Sequence, residues 1–233
     1  MFSFLGIYIH CNGHILNLCL VDVSAGVQSI RNNFGIVSSL YNLVESSAKR
    51  HHVFEEVQQE AGLKSLTIKR LIDTRWTCRW DCLKVILNRY TQIISTLQAM
   101  DVPEAFLLCN SMRSFDFILH LFMMCEIYLI TNILSKYLQS SDICVTQALK
   151  QVKTTAESLK SLRSDTEFER FYSNALKMCE ENDIDPPKEP RKKKVSGFNS
   201  LRNEELQSFT WLIRNLINLI FEFTGTSSSW WWK

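Results

Sequence analysis

Breakers of regular structure are scarce in this chain: seven Gly and four Pro in 233 residues. A turn-rich β fold needs such residues at most of its reversals, so their scarcity favours long helices. Hydrophobic residues make up 46% and charged residues 21%, a globular composition with apolar side chains enough for a core. The net charge of +2 is too small to argue for nucleic-acid binding by the surface as a whole. An electrostatic partner would have to meet a local patch. Eight Cys are scattered without a C-x-x-C pair, several of them inside apolar helical patterns. There Cys acts as a small hydrophobe, and reduced thiols in a cell interior are expected.

Phe2 to His10, rich in Phe, Ile and Tyr, reads as one short buried strand whose ladder partners lie elsewhere. After Gly13 the period changes to that of a buried helix. Val27, Ile30, Phe34, Val37, Leu40, Tyr41 and Val44 mark an amphipathic helix. A polar break is expected from Ser46 to His52, then a helix over Val53 to Glu60 ended by Ala61-Gly62. Asp73-Thr74 can cap one long helix from Trp76 to Leu97. Pro103 opens another that runs to Leu138. The apolar run Ala105 to Leu134 carries Arg113, Asp116, His120 and Glu126, costly in a bilayer, so a buried helix is expected and no membrane partner. Ser141-Asp142 can cap the next helix and Asp165 starts another. Pro186, Pro187 and Pro190 then mark a linker, Glu204 to Phe223 is helical again, and the tail from Gly225 reads as disordered.

Chemistry-bearing constellations are few. Cys11-x-x-His14 is half of a zinc site with no second half at finger spacing. A packing pair at a strand-to-helix turn is the favoured reading, and neither metal nor cofactor is expected. Two-metal chemistry needs carboxylates converging from neighbouring strands. The one candidate strand has no Asp or Glu, and the first acid in the chain is Asp22. No nucleophile elbow supports a Ser/His/Asp or Cys/His nucleophile, no Gly loop cradles a phosphate, and no small-molecule substrate is expected. Arg75-Trp76 and Arg79-Trp80 place cations beside indoles at a spacing of four. Arg on phosphate with Trp stacked on an unpaired base is one reading. A helix start with Trp in the core and Arg stacked over it is the other, favoured on the residues alone. Lys188 to Lys194 holds five basic residues in seven, including Lys192, Lys193 and Lys194. It suits a nuclear localisation signal, a phosphate-binding arm or a solvated linker.

Taken in order, these segments resemble hAT-family transposases. Tyr8 to Leu18, with Cys11, His14 and Asn17, resembles that family's C-x-x-H-x-L-N-L stretch; Leu71 to Arg79 resembles its T-R-W motif. Ser47 to His51, Ile130 to Gln139 and Val152 to Arg163 resemble the subgroup that includes zinc finger MYM-type protein 1. The likeness spans residues 7 to 195 and fades after Val195. It implies a helical bundle of the insertion-domain kind, mainly α, with one N-terminal strand from an incomplete RNase H-like sheet. Residues 1–24 would be the RNase H-like remnant, 25–182 the helical insertion-like domain, 183–198 a basic linker, 199–224 a C-terminal helix and 225–233 a disordered tail. Both metal-binding Asp of the family would precede Met1. The resemblance thus implies a truncated or domesticated transposase-like chain, nuclear, without independent catalysis. DNA, or another transposase-like chain including itself, would be its partner. Arg75, Trp76, Arg79 and the three lysines 192–194 would touch nucleic acid. The alternative is a helical protein-interaction module that does not touch DNA.

Overall fold

The repeat of apolar positions at three and four residues dictates helices, and helices are what form. The computed structural model describes residues 12–71, 77–140, 144–187 and 198–224. Among these there are ten helices and no strand. They are α1 (Asn12–Gly26), α2 (Gln28–Val44), α3 (Ala48–Glu60), α4 (Thr77–Asn88), α5 (Tyr90–Ala99), α6 (Pro103–Met112), α7 (Phe115–Leu138), α8 (Val145–Ser161), α9 (Asp165–Glu181) and α10 (Phe198–Thr224). The strand expected over Phe2 to His10 lies outside the described residues, as does the tail from 225.

The centre of the bundle is α7, whose sequence is apolar nearly all round and therefore has to be covered nearly all round. It packs against α1, α2, α4, α6, α8 and α9. By length and composition α7 could cross a membrane, yet 72% of its most apolar stretch is buried by its neighbours. The cover comes from amphipathic helices: Phe168, Phe171 and Ala175 of α9, Leu83 and Ile86 of α4, Val152, Ala156 and Leu159 of α8 are all buried. α10 lies across α1 and α8, with Phe209, Ile213 and Leu216 turned inward. Gly26, at the end of α1, lets α10 come close: a Cβ there would stand 3.0 Å from the Trp211 ring.

Several element boundaries differ from the sequence expectations. The polar stretch expected as a break is helical from Ala48. His51 reaches Glu55 at 3.3 Å and His52 reaches Glu56 at 3.3 Å, so side-chain pairs four apart replace the missing apolar face. The single helix expected from Trp76 to Leu97 is interrupted at Arg89, with φ −123° and ψ 22°, between α4 and α5. The long helix expected from Pro103 to Leu138 is likewise two. Arg113 leaves helical geometry, and the Ser114 hydroxyl accepts from the Phe117 N–H at 3.2 Å to cap α7. In the same way Ser164 caps α9, which starts at Asp165 as expected. Ser141-Asp142 lie outside the described residues, and Cys144 precedes the first turn of α8. Cys82, Cys109, Cys125, Cys144 and Cys179 are thiols rather than half-cystines.

Candidate nucleic-acid interface

After α3 the chain runs without helix from Gly62, whose φ of 68° turns it back, to Leu71. Residues 63–71 form an extended strap over the bundle. Around Ile68 its side chains alternate: Ile68 is buried while Thr67 and Lys69 are exposed, as a period of two places them. An isolated extended segment leaves its backbone polar groups unpaired, and here side chains of α2, α3 and the α4–α5 junction pair them. The Leu66 N–H donates to Gln58 Oε1 at 2.8 Å, and Gln58 Nε2 donates to the Leu66 carbonyl at 3.1 Å. One fully buried amide thus imitates a two-bond strand bridge. The Ile68 N–H donates to Glu45 Oε1 at 2.8 Å, and Arg89 donates through Nη2 to the Lys64 carbonyl at 2.9 Å and through Nε to Gln58 Oε1 at 3.2 Å.

The strap delivers exposed Lys69 and Arg70 to the segment before α4. Arg75 and Trp76 fall in that segment, outside the described residues. Arg79, on the first turns of α4, is in the core: 6% exposed, its guanidinium 4.7 Å above the Phe34 ring. Phe34 in turn meets Tyr128 edge-on at 5.6 Å, and the Tyr128 hydroxyl lies 3.0 Å from Ser24 Oγ. Burial pushes the Tyr128 hydroxyl up in pKa, while the Arg79 charge and hydrogen bonds from Ser24 and Arg79 pull it back. In this position Arg79 acts as a packing cation and does not face solvent where a phosphate would sit. Trp80 is half-buried against the core, with Lys84 Nζ 5.7 Å from its ring.

Of the other expected site residues, Asn17 is buried on α1, and His14 belongs to the first turn of that helix. Cys11, Lys192, Lys193 and Lys194 lie outside the described residues. Among the described residues no group of three or more His, Cys, Asp or Glu is arranged to hold a metal ion. Gln58, Glu45 and Arg89, which fix the strap, carry no motif in the sequence. The strap's one available signal was the alternation of Leu66 and Ile68 with Thr67 and Lys69. No motif marks the groove of about 960 Å³ between α2 and α6 either. No protein-family model and no solved structure matches this chain.

Proposed function

We propose that this chain is a helical, hAT transposase-like fragment that works by binding, not by catalysis, and that the segment joining the strap to α4 is its nucleic-acid contact. The single observation that carries this reading is the strap itself. A clamped extended run brings exposed Lys69 and Arg70 directly ahead of Thr74-Arg75-Trp76. Cations that come shortly before an indole in the sequence suit a backbone contact next to a base-stacking platform. On this reading residues 1–24 end an RNase H-like domain, residues 25–182 are its helical insertion, and the basic run with Lys192, Lys193 and Lys194 directs the chain to the nucleus.

The test is fluorescence anisotropy with hairpin and single-stranded DNA over a range of salt. Affinity should fall with salt, and Trp76→Ala or the double change Lys69→Ala, Arg70→Ala should weaken it about tenfold or more. Affinity insensitive to those changes would refute the reading. The burial of Arg79 favours a second reading, a helical protein-interaction module. It takes precedence if no salt-dependent DNA binding is found.

A further inference from the structure

One carboxylate ties the strap to a histidine. Glu45, the C-cap residue of α2, has a side chain only 6% exposed, and its two oxygens turn to different neighbours. Oε1 accepts the Ile68 N–H at 2.8 Å, and Oε2 lies 2.7 Å from Nδ1 of His51 on α3. The other ring nitrogen of His51, Nε2, lies 3.3 Å from Glu55 Oε1. A neutral imidazole has one N–H and one lone pair, so between two carboxylates it aims the lone pair at one of them. The charged ring offers an N–H to both. The Nδ1 contact lacks hydrogen-bond alignment, so the ring's charge, more than a directed bond, couples it to Glu45.

The neighbouring cations are engaged elsewhere. Arg50 turns its Nε to the Leu43 carbonyl, and Arg89 is taken up by Gln58 and the Lys64 carbonyl. On the open side of α3, Glu55 is shared with His52 at 3.9 Å, and His52 also reaches Glu56 at 3.3 Å. Among the described residues His51 is the one basic side chain paired with Glu45. A nearly buried carboxylate that loses its cation is destabilised. Glu45 relieves that by turning toward water, which takes its acceptor away from Ile68.

We propose that the proton on His51 locks the strap: the charged ring holds Glu45 against the Ile68 amide, and loss of that proton loosens the strap just ahead of Lys69 and Arg70. The lock is a property of the fold, and its effect on affinity rests on the nucleic-acid reading above.

Hydrogen exchange of the full chain tests it, read as protection factors corrected for the intrinsic rate from about pH 5 to about pH 8, the range in which imidazole changes charge. Protection at the Ile68 amide should fall about three- to tenfold as pH rises, while Phe171 and Ala175 of α9 keep theirs. His51→Gln should leave Ile68 weakly protected at both ends of the range. Glu45→Gln keeps an acceptor for the Ile68 N–H without the charge, and it should also abolish the pH response. His52→Gln should retain it. A wild-type chain whose Ile68 protection is flat with pH overturns the proposal, and so does a response that survives His51→Gln or Glu45→Gln. DNA anisotropy on the same samples separates the two readings. A lock without DNA binding refutes the nucleic-acid proposal alone, and Trp76-dependent binding with a flat Ile68 response refutes the lock alone.

Discussion

Replacing Gln58 with alanine removes the clamp that holds the strap. Gln58 is fully buried, and its amide makes two hydrogen bonds with Leu66, at 2.8 and 3.1 Å, one to the Phe54 carbonyl at 3.2 Å and one from Arg89 at 3.2 Å. A hydrogen bond of this kind contributes about 1 kcal/mol net, and a buried group left without a partner costs about 1–3 kcal/mol. Arg89 keeps its bond to the Lys64 carbonyl and Leu66 can recover water, so the full penalties do not add. The expected loss in Gln58→Ala is therefore about 2–4 kcal/mol. Urea unfolding of the full chain measures the total. Hydrogen exchange at the Leu66 and Ile68 amides shows whether the loss is local, with about tenfold faster exchange for each 1.4 kcal/mol of easier opening. Gln58→Glu separates the two halves of the clamp, since it keeps an acceptor for the Leu66 N–H and loses the donor to its carbonyl. It should fall between wild type and alanine. A Gln58→Ala chain within about 0.5 kcal/mol of wild type, with Leu66 still protected, would refute the idea that this amide substitutes for a strand.

Arg79→Ala should destabilise the chain by about 2–4 kcal/mol through lost stacking on Phe34, and leave the salt dependence of any DNA affinity unchanged. Equal stability with a shallower salt slope would return Arg79 to the phosphate-contact role. Ser114→Ala, which strips the cap of α7, should cost about 1 kcal/mol by urea titration, and Ser114→Asp should cost little. Phe54→Ala, at a position with no exposure, should cost about 3–5 kcal/mol and is expected to shift the midpoint more than any surface change. Burial holds the Cys125 thiol above its ordinary value of 9.0, so the unfolded chain ionises it first. Stability should be full below about pH 9 and fall as pH rises beyond it, less steeply in Cys125→Ala, as read from urea midpoints across the alkaline range.

The parts of the fold legible in the sequence are those where one face is apolar. α2 follows from its spacing, and α9 from Asp165 followed by Phe168, Phe171 and Tyr172. The breaks at Arg89 and Arg113 were not legible because neither carries a glycine or proline, and the reasons for both are tertiary. Arg89 leaves the helix where its side chain reaches the strap, and Arg113 does so where it donates to the Asp183 carbonyl at 2.8 Å. Ser114, followed two residues on by Asp116, was a readable start signal that the continuous apolar pattern concealed. For the candidate site, Arg75-Trp76 and Arg79-Trp80 look alike as letters. The placement of Phe34, forty-five residues before Arg79, together with the Tyr128 hydroxyl, holds Arg79 inward. Gln58 and Glu45 read as ordinary surface polar residues, since nothing local says that an extended segment will need their oxygens.

The position of α7 in the order of synthesis bears on how the protein is made. Among the described residues six helices precede residue 115, and two of them, α1 and α4, rest a large part of their apolar faces on α7. Until that helix clears the exit tunnel these faces stay wet, and hydrophobic surface exposed in a growing chain is prone to the wrong contacts. A chain cut short before residue 115 is therefore expected to leave the α7-facing sides of α1 and α4 exposed.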